Sequence, residues 1–240
     1  MGVPMTNEIS KPARGLTGNA LKLLALISMT LDHAGLILLG NPPLLRTLGR
    51  LAFPLFAWGI AEGCLHTRSR WRYFCQVALL GLLCQLVYYF VDGTLYMSVL
   101  ISFSLAIPGV YLLLWAKKER RALPWLCLAA YIALVYGICE ILPKHIDRSL
   151  GFCVDYGFWG VMLPLCAAAF TGKYARLAAF ALGLLALCLS LGGLQYYALF
   201  SLPLLLFYNG QRGRRKLKYL FYLYYPLHLA VLYGISMLMS

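Results

Sequence analysis

The sequence predicts an all-α fold: a polytopic transmembrane helical bundle of about nine helices with its amino terminus in the cytoplasm. Three observations carry this expectation. Of 240 residues, 62% are hydrophobic and only 12% charged, too little charge to cover a soluble domain of that length. Apolar runs long enough to span a bilayer recur along almost the whole chain. The segments between them alternate, one rich in Lys and Arg and the next nearly free of them.

The apolar runs fall at 20–40, 46–64, 73–91, 95–116, 122–141, 152–170, 175–191, 194–208 and 218–238. The first is continuous except for Asp32-His33, just past its midpoint. The second is slim, with Gly49, Ala52, Ala57, Gly59, Ala61 and Gly63 suited to close helix contact. Pro54 within it is expected to loosen backbone hydrogen bonding beside Arg50. The third, fourth and fifth carry no Asp, Glu, Lys, Arg or His until Glu140 closes the fifth. Asp155 opens the sixth. Only Gly192-Gly193 separates the seventh from the eighth, and the eighth is short for a hydrocarbon core of ~30 Å. The ninth carries Tyr222, Tyr224 and Tyr225, then Pro226 and His228. Residues 1–19 are polar and read as a cytoplasmic segment, not a cleaved leader, with 20–240 forming one transmembrane domain.

The formal net charge is +13, and its distribution follows topology. With the amino terminus inside, the cytoplasmic segments hold Lys11, Arg14 and Lys22; Arg68, Arg70 and Arg72; Lys117, Lys118, Arg120 and Arg121; Lys173 and Arg176; and Arg212, Arg214, Arg215, Lys216 and Lys218. These are 17 of the 21 cations. Arg46, Arg50, Lys144 and Arg148 remain for the outer side, and the carboxyl terminus is then outside. Basic segments scattered in this way do not form a nucleic-acid surface; they offer the cytoplasmic face to an anionic cofactor or lipid. The eight cysteines, Cys64, Cys75, Cys84, Cys127, Cys139, Cys153, Cys166 and Cys188, form no C-x-x-C and have no zinc spacing to His, so they read as small packing residues.

An ionisable side chain at bilayer depth costs ~2.5–3.5 kcal/mol on insertion scales and is expected to face a protein interior or a water-filled site. The topology places Asp32, His33, Arg50, Asp155 and His228 between the bilayer centre and its outer face, where they converge if their helices touch. Arg50 is expected to neutralise Asp32 or Asp155, since an unpaired buried charge is prohibitive. Successive helical residues diverge by about 100°, so Asp32 and His33 serve different neighbours. Glu62 and His66 border the cytoplasmic end of the second run, and His145 lies in a polar loop with Lys144 and Asp147. Each also has a plainer structural role open to it: helix-locking ion pairs for the charged residues, hydrogen-bonding struts for the histidines, interfacial anchors for the tyrosines.

Five blocks together resemble the TraX family of multi-pass bacterial membrane proteins, named for the conjugative-pilin acetyltransferase. They are L-K-x-x-A-x-I-x-M-x-x-D-H-x-G (Leu21 to Gly35), L-G-R-L-A-F-P-L-F (Leu48 to Phe56), E-G-C-L-H-T-R-S (Glu62 to Ser69), D-Y-G-F-W-G-V-M-L-P (Asp155 to Pro164) and Y-Y-P-L-H-L (Tyr224 to Leu229). The resemblance spans nearly the full chain and implies a bacterial cytoplasmic-membrane protein. It also implies acetyl transfer from acetyl-CoA to an amine, typified by a pilin amino terminus; the broader membrane acyltransferases it is similar to acetylate sugars across a bilayer. Two stretches depart from the family's pattern: Cys84-Gln85-Leu86-Val87, where relatives often carry an acidic residue and a proline, and Met97-Ser98-Val99-Leu100, which lacks Asn/Thr character.

Acyl transfer from a thioester needs a base for the acceptor's proton and donors for the developing oxyanion. On this reading His33 is the base, and Asp32 or Asp155 orients an imidazole or balances its charge. Arg50 or a tyrosine hydroxyl holds the oxyanion, and His228 is a second base or relay. The loops bearing Arg68, Arg70 and Arg72, or Arg212 to Lys218, hold the CoA phosphates. Glu62, His66, Tyr156 and Tyr225 are candidate substrate-binding residues, and no metal is expected. Two other classes fit the same residues: a proton-coupled transporter, and an assembly factor without chemistry.

Overall fold

A computed structural model of the protein describes residues 15–119, 121–213 and 218–239. Of the cytoplasmic cations, Lys11, Arg14, Arg120, Arg214, Arg215 and Lys216 lie outside the described residues, as do the side chains of Arg148, Lys218 and Tyr222.

Thr17 caps helix α1 (Gly18–Ile37), its hydroxyl accepting from the Ala20 amide at 3.2 Å. Twenty residues at 1.5 Å each make a rod of about 30 Å, the thickness of the hydrocarbon core. Gly40 and Asn41, both with φ of 67°, then reverse the chain into α2 (Pro43–Gly49), with Pro43 in the first turn where no amide is needed. Where the sequence predicts one helix over 46–64, the structure has two, broken at Arg50-Leu51, with α3 running Ala52–His66. The Arg50 amide closes α2 by bonding the Arg46 and Thr47 carbonyls, each at 3.2 Å. Pro54 therefore falls in the first turn of a new helix, where its missing amide removes no ladder bond. The expectation that it loosens a helix interior is corrected to that.

Helix α4 (Arg70–Asp92) starts at Ser69, whose hydroxyl accepts the Arg72 amide, and stops at Gly93 in the left-handed region (φ 66°). α5 is Val99–Lys118 and α6 is Ala122–Tyr136, continued by a π-helical turn at Gly137–Ile141 and a last turn, α7 (Leu142–His145). α8 (Gly157–Ala168), α9 (Lys173–Leu191), α10 (Ser201–Leu206) and α11 (Lys218–Met239) complete the bundle. The eighth predicted run is a 3-10 stretch, Gly193–Phe200, leading into α10. Because a 3-10 helix rises ~2.0 Å per residue against 1.5 Å, these fourteen residues reach about 25 Å, more than an α-helix of that length would.

Two runs begin differently from expectation. Residues 96–97 and 153–154 are not helical but pair as parallel strands β1 (Tyr96–Met97) and β2 (Cys153–Val154), and α8 starts only at Gly157. Backbone groups near a bilayer cannot be left to water, and here two non-helical segments satisfy each other. At twelve residues, about 18 Å, α8 is too short to cross alone.

The contacts sort the segment ends into two sets that match the alternation of charge. At one end Leu16 bridges to Tyr208, Glu62 meets Arg176 at 2.6 Å, and Lys117 donates to the Ala168 carbonyl at 3.0 Å. At the other, β1 meets β2. The first end carries the basic segments and is the cytoplasmic one by the positive-inside rule. Among the described residues, five helices are long and apolar enough to cross a membrane: Gly18–Ile37, Arg70–Phe90, Val99–Lys118, Ala122–His145 and Lys173–Leu191. The core packs Leu55, Ile107, Leu163, Phe180, Leu184 and Leu187 between α3, α5, α8 and α9. Leu79, Leu82, Leu83, Leu86 and Phe90 on α4, and Leu182 and Leu189 on α9, are exposed. A helix apolar on both its inner and outer faces is what a bilayer, not water, solvates. Cys64, Cys84, Cys139 and Cys188 are buried packing residues; Cys153 is exposed.

Candidate active site

The Asp-His pair is divided between two neighbours, as the 100° step requires. Asp32 faces α2. Arg46 reaches its Oδ2 at 2.8 Å, and Nη2 of Arg50 donates to both carboxylate oxygens at 3.0 Å. Arg50 Nε leans on the Arg46 carbonyl at 3.4 Å. One carboxylate thus sits between two guanidinium groups whose side chains are only 17% and 21% exposed. The approach depends on Gly49: a methyl there would stand on the Asp32 carboxylate. Ser28 completes the α1–α2 junction by donating to the Leu48 and Gly49 carbonyls at 2.5 and 3.2 Å at the end of α2, where the Leu51 amide also reaches the Leu48 carbonyl at 3.3 Å. Sequence reasoning placed Arg46 in an outer loop and missed this role. The signal was its spacing, since Arg46 and Arg50 are i, i+4 and share one helix face.

His33 turns to α11. Its Nδ1 lies 2.9 Å from Nε2 of His228, and His228 Nδ1 lies 2.9 Å from the Tyr224 carbonyl. A carbonyl only accepts, so His228 carries its proton on Nδ1 and presents Nε2 as a lone pair. His33 must then donate from Nδ1, which leaves the lone pair of its own neutral ring on Nε2. Among the described residues that nitrogen has no hydrogen-bond partner. The tautomers follow from the network, and they make His33 Nε2 the available base. Tyr224 stacks on His228 with ring centroids 5.4 Å apart, and Tyr225 meets it edge-on at 5.8 Å. Thr30 spends its proton on the Leu26 carbonyl at 2.8 Å, so the 2.6 Å contact has the Tyr224 hydroxyl donating to Thr30.

Asp155 lies at the β2 end, outside any helix. Its amide bonds the Met97 carbonyl at 3.0 Å, its carbonyl accepts from Ser102 at 2.6 Å, and its Oδ1 accepts from the Tyr96 hydroxyl at 2.7 Å. Gln85 of α4 holds β1 from the other side, bonding the Tyr96 carbonyl at 2.9 Å and the Ser98 amide at 3.0 Å. Tyr156 follows in the left-handed region (φ 62°), its ring stacked on Phe53 at 3.7 Å. Glu140 caps α8, accepting the Phe158 amide at 3.2 Å. Asp155 and Tyr156 lie within electrostatic reach of Arg50, though Arg50 makes its ion pair with Asp32. Gln85, Tyr96 and Ser102 were not singled out from sequence, because uncharged polar residues at helix ends carry no distinctive pattern.

On the cytoplasmic side a cavity of about 520 Å³ opens between α1, α3, α4 and the segment after α10. Lys22, Arg68, Arg72, Arg212 and His66 line it towards the basic segments; Leu55, Phe103, Leu26 and Val99 line it further along, as does Tyr225 of α11. Arg70 is directed elsewhere, its guanidinium 5.3 Å from the Tyr111 ring centre. Glu62 lines the cavity but is fully engaged: Arg176 binds Oε1 at 2.6 Å and Tyr208 donates to Oε2 at 2.8 Å. Arg176 also donates to the Ala167 carbonyl at 2.7 Å and lies 4.8 Å over the Trp58 ring. Glu62 therefore ties α3 to α9 and to the chain after α10, with the exposed His66 at 3.8 Å as a loose neighbour.

The arrangement is a histidine pair with a defined base nitrogen, a carboxylate neutralised by two arginines beside it, and a cavity among the basic segments whose lining includes Tyr225, an aromatic neighbour of that pair. A family model described as TraX protein matches residues 17–236, which include all of these groups. The probable fimbrial assembly protein FimC, serogroup H1, of Dichelobacter nodosus is similar to the chain. It is 28% identical over 252 aligned residues, covering 92% of this chain and 96% of that protein. No solved structure matches the chain. With the family's match running from the start of α1 to the end of α11, the chain belongs to the TraX family.

Proposed function

We propose that the protein is a membrane acyltransferase that takes an acetyl group from acetyl-CoA at the cytoplasmic face and passes it to an amine or a sugar at the outer face. The observation that carries this is the cavity: lined by Lys22, Arg68, Arg72 and Arg212 towards its basic end, apolar along its length, and touching Tyr225, whose ring centre lies 5.8 Å from that of His228. Its chemistry fits a CoA thioester. Lys22, Arg68, Arg72 and Arg212 are placed for the phosphates, and the apolar walls for the arm. When bound, acetyl-CoA supplies a thioester carbonyl; its C–S bond breaks as the bond to the acceptor forms, and CoA leaves as the free thiol.

His33 Nε2 accepts the acceptor's proton. His228 keeps that nitrogen unprotonated beforehand by claiming the His33 Nδ1 proton, and the charge formed on His33 spreads over two rings in contact. Asp32, with Arg46 and Arg50, holds α1 against α2 so that His33 keeps its direction. A general base of this kind is worth roughly 10²–10⁴-fold in rate. The fimbrial assembly role in the relative's name favours, among amines, the amino terminus of a pilus subunit delivered to the outer face. The test is a sided assay in inside-out vesicles, with labelled acetyl-CoA outside and a peptide amine sealed within. Label on the enclosed peptide is the expected result. Uptake of a solute on a proton gradient with no label transferred would make the protein a transporter.

A further inference from the structure

We infer that Tyr225 sets the length of the acyl group the protein accepts; this rests on the acyltransferase reading and goes beyond it. Two measures of the cavity and one of the donor point the same way. Along α3 its lining runs from His66 to Leu55, and along α4 from Arg72 to Leu80, depths of about 16 and 12 Å at 1.5 Å per residue. The arm linking the CoA phosphates to sulfur is equivalent to four or five peptide-like units, about 15 Å extended. With its phosphates at Arg68 and Arg72, the sulfur therefore arrives at the inner part of that lining, beside Leu55 and Leu80, and the acyl group is the part that meets Tyr225.

Tyr225 is only 9% exposed and packs in a cluster with Leu26, Met29, Ala52 and Cys84. Its far side meets the edge of His228 at 5.8 Å. The ring thus touches both the cavity and the histidine pair. A two-carbon acyl group fits between sulfur and ring; each further methylene has to displace the ring or pull the arm back from the basic end. α11 itself is pinned to α1 by the Thr30–Tyr224 and His33–His228 bonds, so the ring does not drift away with a rigid helix.

The experiment compares acetyl-, butanoyl- and hexanoyl-CoA as donors for purified full-length wild type, Tyr225→Phe, Tyr225→Leu and Tyr225→Ala, each first shown to be monodisperse in detergent. Wild type is expected to lose roughly tenfold or more in kcat/KM per added methylene near the ring, the scale of steric discrimination in an apolar pocket. Tyr225→Phe keeps the ring and the preference. Tyr225→Ala shifts the optimum to the longer donors, and Tyr225→Leu shifts it partway and serves alone if the alanine variant does not fold. Unchanged donor ratios in the folded Leu or Ala variant would overturn the assignment, as would a wild type indifferent to acyl length. A wild type that releases CoA from no donor overturns the acyltransferase reading itself, an outcome distinct from either.

Discussion

His33 and His228 share one hydrogen bond but have unequal tasks, and substitution separates them. His33→Ala removes the base and is expected to lower kcat by at least about 100-fold with folding intact, read as CoA release and as melting temperature in detergent. His228 acts through His33. His228→Gln keeps an acceptor near the position of Nε2 and is expected to retain most activity; His228→Leu leaves the His33 tautomer free and should cut kcat with little change in KM. Equal loss in both variants would show that His228 does more than orient. Gly49→Ala pushes a methyl onto the Asp32 carboxylate and is expected to destabilise the protein by about 1–3 kcal/mol, measured as a lowered melting temperature. The main members of this site were legible because ionisable residues in apolar runs are conspicuous. The Arg50–Asp32 pair was one of the two alternatives read from sequence; what was not legible is that Arg46 joins it. Arg46 and Arg50 look alike in sequence, and only the α1–α2 turn at Gly40-Asn41 brings both to one carboxylate.

The elements follow the apolar runs closely where a run is one uninterrupted helix, as in α1, α4, α5 and α9. They depart where the backbone finds a partner that periodicity cannot foresee. Residues 153–156 read as a helix start, yet they form a strand and turn because β1 offers parallel hydrogen bonds and Ser102 takes the Asp155 carbonyl. The break at Arg50-Leu51 likewise has no Gly or Pro at the break itself; Pro54 pointed to the right helix and the wrong turn of it. Glu62 joins three elements, so its effect belongs at this scale. Glu62→Gln leaves the Arg176 guanidinium, 14% exposed, without its counter-charge. The expected cost is about 2–3 kcal/mol, and the matching Arg176→Gln should add little to it in a double-mutant cycle. Full additivity would show that the two side chains are not coupled.

Over the whole molecule, charge and cavity agree on direction. The ends joined by Glu62–Arg176, Leu16–Tyr208 and Lys117–Ala168 carry the basic segments, and the cavity opens among them. This sidedness was readable from the alternation of Lys and Arg alone; the cavity was not, since it is made by six segments spread along the chain. Arg68 and Arg72 line it while Arg70 stacks on Tyr111, so substitution should discriminate within one loop. Arg68→Ala with Arg72→Ala is expected to raise KM for acetyl-CoA severalfold with kcat nearly unchanged, an effect that shrinks at high salt, whereas Arg70→Ala leaves KM alone. Equal KM values in the two variants would remove the basic end of the cavity from CoA binding. The central claim, that the protein moves an acyl group from a CoA thioester to an acceptor with His33 as the base, is tested most directly by measuring free CoA released from acetyl-CoA by detergent-purified wild type and His33→Ala, side by side, with a panel of amine and sugar acceptors. Acceptor-dependent release by wild type, lost in the variant, is the predicted result; no release from folded wild type with any acceptor, or equal release from both proteins, would contradict it.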